Sequence, residues 1–338
     1  MTFRYFLYGT LRHPPLLAQV LGRDAEGVAA RLSGVTVHEA LCRGVPQGFP
    51  MLCAGGAGAP GIVVELTAPE AARLDYYESG FSFEIKEMQV ETQAGPVPAR
   101  VFWPKAAGVS LQPGGPWDPD AWVRDWGDLA TLAAAEFMAG LGRVAPERAR
   151  ARYPAMLARA AARRRAGAAK PARLRRPAAP GDVRVEQAQI AYAGFFSVED
   201  YRLSHRQFAG GHGPLLDRTA FVSVDAAVLL PYDPVRDRVL LIEQFRMGPF
   251  ARGDANPWLI EPIAGRIDAG ENPEEAALRE AAEEAGLRID RLIAGPSFYP
   301  SPGAKTEYLY CSSVLPICPT MLQAQAGSRP RARIFAAT

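Results

Sequence analysis

The chain has little lysine: of 38 basic residues, only Lys86, Lys105, Lys170 and Lys305 are lysines, and the net charge is +2. So even a balance excludes the broad positive field on which nucleic-acid binding relies. Cysteine is equally scarce. Cys42, Cys53, Cys311 and Cys318 have no CxxC spacing and no histidine cluster near them, so free thiols are expected in place of a disulfide framework or a structural zinc. Long apolar runs are also missing, none approaching the ~18 residues of a membrane span. The opening stretch, Met1 to Leu21, is broken by Arg4, Gly9, Arg12 and the pair Pro14-Pro15, unlike a secretory leader. These absences point to a cytoplasmic protein with neither nucleic acid nor membrane as partner. The abundance of Ala, Gly, Pro and Arg reads as the mark of a GC-rich genome.

Composition divides the 338 residues into segments, enough for two domains. Residues 1–125 alternate short apolar runs with Gly and Pro, as an α+β or small β-barrel unit would. Residues 126–181 form a connector, first helical and then rich in Ala, Arg and Pro. The stretch Ala160 to Gly181, with Arg163-Arg164-Arg165 and Arg173-Leu174-Arg175-Arg176, is expected to be a solvated linker. Residues 182–310 resume strand-like periodicity: Phe221 to Leu230 and Val239 to Phe245 read as strands about the turn Tyr232-Asp233-Pro234. From Cys311 to Thr338 there is no Asp or Glu and no amphipathic period. This tail, 311–338, reads as disordered, or as the product of a shifted frame or a truncated gene.

The segment Gly265 to Leu287, GRIDAGENPEEAALREAAEEAGL, carries the chemistry. Asn272, Pro273 and Glu275 form a helix start: a side-chain cap, a proline at the first helical position and a first-turn carboxylate. Gly286 ends it. At ~100° per residue, Leu278, Ala281, Ala282 and Ala285 are expected on an apolar face, with Glu280, Glu283 and Glu284 opposite. Like charges at these spacings each cost a helix roughly 0.2–0.5 kcal/mol. A hard cation shared among their oxygens would reverse that penalty.

The fixed positions Gly265, Glu271, Arg279, Glu280, Ala281, Glu283, Glu284, Gly286 and Leu287 match the Nudix box, and this segment resembles that family's signature. The resemblance implies a hydrolase of nucleoside diphosphates linked to another group, with Mg²⁺ (or Mn²⁺) held by Glu280, Glu283, Glu284 and the Ala264 carbonyl. Glu283 and Glu284 are the catalytic candidates it implies. The lead-in Glu261 to Gly265, the turn Tyr299-Pro300-Ser301-Pro302-Gly303, and the runs Gly194 to Ser197 and Leu241 to Arg246 are similar to the ADP-ribose pyrophosphatase subfamily. That implies cleavage of ADP-ribose, or another ADP-sugar, to AMP and ribose 5-phosphate. Arg246 and Glu261 would contact the substrate, and Phe195 could stack on adenine. Phe195 and Phe196, read as strand residues, serve core packing more readily. Relatives of this part dimerise by exchanging strands that here precede residue 221, so a homodimer is expected.

A second resemblance covers residues 3–105. Phe6 to Leu11 looks like the Tyr-Gly-Ser/Thr-Leu loop of the gamma-glutamylcyclotransferase-like family, and Leu74-Asp75-Tyr76-Tyr77-Glu78 like its acid-bearing segment. The resemblance implies that Glu78 moves the proton, while the loop of Tyr8, Gly9, Thr10 and Leu11 receives a substrate carboxylate. The chemistry suits a carboxyl whose pKa is raised in a shielded pocket. The order of the two modules resembles bacterial Nudix fusions associated with tellurite resistance.

The expected architecture is therefore α+β in two domains: an N-terminal cyclotransferase-like mixed β-barrel, and a C-terminal α/β/α Nudix sandwich lacking its last elements. In relatives the strand held here by Tyr308 to Tyr310 leads on to an acidic loop with a catalytic glutamate. Three readings stay open on sequence alone: a diphosphate hydrolase, an impaired nucleotide-binding remnant, or a first domain with cyclotransferase activity of its own.

Overall fold

The structure, a computed structural model, describes residues 1–81, 83–105, 111–168 and 174–314, and the backbone of 333–337. The chain divides into two units, Met1–Ala160 and Ala161–Thr338.

In the first unit the elements run β1 (Thr2–Leu7), α1 (Pro14–Leu21), β2 (Val28–Leu32), β3 (Val35–Cys42), β4 (Val45–Ala54), β5 (Ala59–Thr67), α2 (Ala68–Ser79), β6 (Phe83–Thr92), β7 (Gly95–Pro104) and β8 (Leu111–Pro116). The helices α3 (Pro119–Trp122), α4 (Asp128–Met138) and α5 (Pro146–Ala151) follow, and then α6 (Tyr153–Ala168), whose residues from Ala161 on are counted with the second unit. Strands β1-β5-β2-β6-β7 close into a barrel, sealed by the parallel pairing of β1 with β7. A separate sheet, β4-β3-β8, lies beside it in the same unit. Helix α2 starts where Thr67 and Glu70 form a capping box, which satisfies two backbone donors at once.

The helical part of the expected connector belongs to this unit. In α4, Leu129, Ala130, Ala133, Ala134, Phe137 and Met138 are buried, and all but Leu129 pack into the same core as Tyr5, Leu74 and Tyr77. The boundary expected at residue 125 is therefore corrected, because those side chains cannot remain in water at ~25 cal/mol per Å² of apolar surface. Between α4 and α6, Arg159 and Glu136 form a buried ion pair, with Arg159 Nε donating to Glu136 Oε2 at 2.9 Å.

The second unit contains β9 (Val183–Ala193), β10 (Ser197–His205), β11 (Leu216–Val222), β12 (Ala226–Asp233), β13 (Arg238–Phe245), α7 (Met247–Arg252), β14 (Trp258–Glu261), β15 (Ile263–Arg266), α8 (Pro273–Ala285), β16 (Ile293–Phe298), β17 (Leu309–Val314) and β18 (Arg333–Ala337). Strands β11-β10-β9 form one antiparallel sheet. The larger mixed sheet has the order β14-β13-β12-β17-β16, with β15 added to β12 and β18 to β13. Its centre is the parallel pair β12 and β17. Helix α8 packs Ala281 and Ala285 with Leu229, Leu240, Ile242 and Ile263, and Ala276 and Ala277 with Ala227 and Ile267.

Two sequence expectations are overturned here. The tail does not lose order at Cys311: Cys311 to Val314 complete β17, Ser313 Oγ donates to Leu230 O at 3.0 Å, and Val314 is buried. Ser312 and Ser313, featureless in sequence, thus have their backbone needs met by a neighbouring strand, which also accepts from the Ser313 hydroxyl. Residues 333–337 pair antiparallel with β13; the part of the expectation that falls on 315–332 lies outside the described residues. Nor is the arginine stretch a bare linker up to residue 168. It is helical in α6, where Arg163 pairs with Glu199, and Arg165 Nε donates to Asp225 Oδ2 at 2.8 Å. Cys42, Cys53 and Cys311 are free thiols, and Cys318 lies outside the described residues. No helix among the described residues is long and apolar enough to cross a membrane.

Candidate active site

In the second unit the site is built on β15, the loop after it and α8. The helix forms as its sequence dictates: Asn272 Oδ1 accepts from the N–H groups of Glu274 and Glu275 at 2.9 Å each, and Glu275 accepts from Asn272 N–H at 2.9 Å. Gly286 ends it in the left-handed region at φ 65°.

The phase of the helix differs from expectation. Buried positions are Ala276, Ala277, Ala281 and Ala285, while Leu278 and Ala282 are exposed. At ~100° per residue those four alanines span half a turn, and Glu280 and Glu284 fall inside that arc. These two carboxylates therefore face the sheet. Glu283 is exposed at the margin.

Each of the two is held from the strand side. Glu280 lies over Gly265, where an added β-carbon would stand 1.9 Å from its Oε1. Glu284 accepts from Ala264 N–H and from Gln244 Nε2, both at 3.3 Å. Arg279 ties the loop to the helix. Its Nε and Nη2 donate to Glu271 at 2.7 and 3.0 Å, its Nη1 to Glu280 at 2.6 Å, and its Nη2 to Arg266 O at 3.0 Å. Glu283 stands 3.7 Å from Arg279 Nη1.

The electrostatics follow from these partners. The Arg279 guanidinium holds the Glu271 carboxyl below its usual range. Burial pushes Glu284 above its usual range, and the charge of Glu280 adds to the rise, against the hydrogen bonds from Ala264 and Gln244. Arg246, at the end of β13, is paired with Glu261 of β14 through Nε at 2.7 Å and Nη2 at 2.6 Å. Phe195 is not a strand residue: it lies in the turn between β9 and β10, 61% exposed, with the Arg266 guanidinium 4.4 Å from its ring centre.

Among the described residues no three His, Cys, Asp or Glu side chains stand together in ligating geometry; Arg279 engages Glu280 and lies next to Glu283. The donor set nonetheless fits a hard divalent cation. It offers oxygen donors alone, three carboxylates and the Ala264 carbonyl, and the repulsion of Glu280 that adds to the rise of Glu284 is what a shared cation would relieve.

The first unit holds a cleft lined by the loop Tyr8 to Leu11, by Glu78, and by Phe49, Phe81, Trp122 and Tyr153 among others. Gly9 is required for the loop to pass Pro50, whose Cγ would lie 2.7 Å from an added β-carbon. Tyr8 donates to Phe102 O at 2.9 Å, which fixes the loop on β7. Glu78 keeps partial exposure through the cleft, yet burial pushes its carboxyl up to about 8. Tyr77 and Tyr153 place their hydroxyls 3.4 Å apart.

The structure thus gathers Ala264, Glu280 and Glu284 in one place, with Glu283 beside them. It gathers Tyr8, Gly9, Thr10, Leu11 and Glu78 in another. Gln244, Trp122 and Tyr153 escaped the sequence reading. Gln244 had a readable signal, since it lies two residues before Arg246 in the quoted run; Tyr153 lies some 75 residues from Glu78 and gave none.

A gamma-glutamyl cyclotransferase, AIG2-like family model matches residues 5–119, and a NUDIX domain model matches residues 223–318. The chain therefore carries a NUDIX domain fused behind an AIG2-like domain. Over the second unit it is 46% identical across 126 residues to an ADP-ribose pyrophosphatase of Escherichia coli (strain K12), covering 37% of this chain and 60% of that protein. It is 37% identical across 131 residues to an ADP-ribose pyrophosphatase of Haemophilus influenzae, covering 38% and 60%. A GDP-mannose pyrophosphatase of Yersinia pestis is 40% identical across 124 residues, covering 37% and 62%. The chain spans about 60% of the length of these curated relatives.

Proposed function

We propose that the second unit hydrolyses the diphosphate of ADP-ribose, giving AMP and ribose 5-phosphate, with Mg²⁺ or Mn²⁺ as cofactor. The observation that carries this reading is the convergence of Glu280 and Glu284 on Gly265 and Ala264, in a unit 46% identical to an ADP-ribose pyrophosphatase. Glu280, Glu283, Glu284 and Ala264 would hold the cation, which when bound supplies charge neutralisation on the diphosphate oxygens.

The chain's own groups do the rest. Arg279 fixes Glu280 through its fork to Glu271. Glu284, whose carboxyl burial raises above its usual range, is the group this reading assigns to take up the proton of the attacking water. Arg246 can grip a phosphate oxygen, with Glu261 orienting its guanidinium, and Phe195 offers a face to adenine. The unit acts as a homodimer in this reading, which light scattering of the full chain tests.

The functional test is AMP release from ADP-ribose with Mg²⁺, measured beside Glu284→Gln and beside GDP-mannose. Equal rates in the two proteins would defeat the hydrolase reading and favour a nucleotide-binding remnant. Faster cleavage of GDP-mannose would defeat the substrate alone.

Glu78 favours a second activity. A carboxyl with its pKa pushed up to about 8, facing a cleft behind the Tyr8 to Leu11 loop, is poised to carry a proton from amine to leaving nitrogen in γ-glutamyl cyclisation. Release of 5-oxoproline from a γ-glutamyl amine, lost in Glu78→Gln, tests it; no release from wild type rejects it.

A further inference from the structure

One wall of the Glu78 cleft is made of aromatic rings. Phe49 on β4, Tyr77 on α2, Phe81 in the turn after it, Phe83 on β6 and Tyr153 at the start of α6 all line the cleft. The rings form one chain of contacts. Phe81 meets Phe49, Tyr77 and Tyr153 with ring centres 5.5, 5.4 and 5.3 Å apart, and Phe49 meets Phe83 at 5.7 Å. Four of the five are buried, while Tyr153 keeps part of its surface exposed. Tyr153 lies beyond residues 5–119, the span of the AIG2-like match, so the helices that follow that domain complete the wall.

Charge is scarce around these rings. Of the side chains that line the cleft, Glu78 alone is acidic or basic. Burial is the cause of its raised pKa, with no contribution from a charged neighbour. At neutral pH, below its value of about 8, the carboxyl is protonated and the wall carries no formal charge. Arg150 stands 4.7 Å from the Phe81 ring centre and 5.6 Å from that of Tyr153, yet it is not among the lining residues. Its guanidinium already engages the π-systems that an ammonium in the cleft would need.

We propose that this wall is the subsite for the amine half of a γ-glutamyl amide, and that it selects an uncharged, apolar amine, an aromatic one above all. The inference rests on the cyclotransferase reading of Glu78 and adds a substrate class to it. The wall decides among three kinds of amine half. A carboxylate, as in a γ-glutamyl dipeptide, would lose its hydration with no cation to receive it. An ammonium would meet a neutral Glu78 and rings already held by Arg150. A phenyl group gains by leaving water and finds edge-on ring partners.

Isothermal titration calorimetry of the full chain at neutral pH tests it with three amides that lack the glutamyl head: N-benzylacetamide, N-acetylglycine and Nε-acetyllysine. N-benzylacetamide should bind saturably and the two charged probes at least about tenfold more weakly. No saturable heat with N-benzylacetamide, or equal affinity for a charged probe, would overturn the proposal. Tyr153→Ala should weaken N-benzylacetamide about tenfold. Unchanged affinity in the folded variant would put the binding elsewhere and overturn it too. If the thermal melt of that variant shows misfolding, Gln47→Lys takes its place, since Gln47 lines the same cleft and its Nε2 bonds only to nearby Val45 O at 3.0 Å. The added cation should strengthen N-acetylglycine about tenfold, and no gain would overturn the proposal. Release of 5-oxoproline separates the subsite from the catalysis. Equal rates from γ-glutamyl benzylamide and γ-glutamyl lysine would keep the cyclotransferase and reject the subsite. Binding of N-benzylacetamide with no release from either would keep the apolar subsite and reject the cyclotransferase.

Discussion

Glu280 lies directly against Gly265, so closely that a β-carbon at 265 would stand 1.9 Å from both its Cδ and its Oε1. The glycine is thus a steric requirement of the carboxylate and not of the turn. Gly265→Ala should push Glu280 off the strand while the fold persists. A displacement of about 1 Å at a reacting constellation can cost about 100-fold in rate. The expected result is a loss of that order in kcat/KM for ADP-ribose with an unchanged circular dichroism spectrum; near-wild-type turnover would refute it.

Arg279 joins Glu271 and Glu280, and the Glu271 fork is bidentate. Lysine cannot reproduce a planar fork. Arg279→Lys should therefore loosen Glu280 and raise the Mg²⁺ concentration needed for half-maximal rate, by about 10–100-fold as for other groups that orient metal ligands. A Mg²⁺ titration of the rate measures this. An unchanged midpoint with a lower ceiling would mean that Arg279 acts on something other than cation binding.

Much of this site was legible before any coordinates. The cap Asn272, the stop Gly286 and the residues of the box predict α8 to the residue. Its rotation was not legible, because alanines at 276, 277, 281, 282 and 285 give the helix little apolar contrast from one side to another. Hence the inward turn of Glu280 and Glu284 was missed. The closed barrel follows from the family likeness more than from any pattern of alternation. The membership of α4 in the first core is written in Ala130, Ala133, Ala134 and Phe137 at helical spacing, although the Ala, Arg and Pro that follow give the segment the composition of a linker. The strand through Ser312 and Ser313 could not be read, since those serines fit only once β12 lies alongside.

Glu78 gives the first unit a pH dependence of definite sign. In the folded chain its carboxyl holds its proton up to about 8, against an ordinary value of 4.5. Between those values the folded state binds more protons than the unfolded one, so stability falls as pH rises through that window. Below about 4.5 the contribution is absent from the slope, and above about 8 the loss is complete, of order 3 kcal/mol after allowance for its contact with solvent. Urea unfolding at pH 5, 7 and 9, followed by the fluorescence of Trp103, Trp117, Trp122 and Trp126, should show this decline in wild type. Glu78→Gln should flatten it. A parallel decline in both proteins would assign the effect to another group.

Asp225 offers the sharpest test of the arginines in α6. Its carboxyl is nearly buried, and burial raises its pKa while Arg165, 2.8 Å away, pulls it down. Removing the guanidinium leaves that charge without its counterion, which in part-buried settings costs about 1–3 kcal/mol. Arg165→Gln should therefore destabilise the second unit by that amount, and more at pH 8 than at pH 5, because the isolated carboxyl can escape the penalty only by protonation. Adding Asp225→Asn should recover most of the loss by removing the charge itself. Thermal melts of the two single variants and the double variant at both pH values decide it. A double variant no more stable than Arg165→Gln would mean that the arginine packs the helix and does not neutralise Asp225.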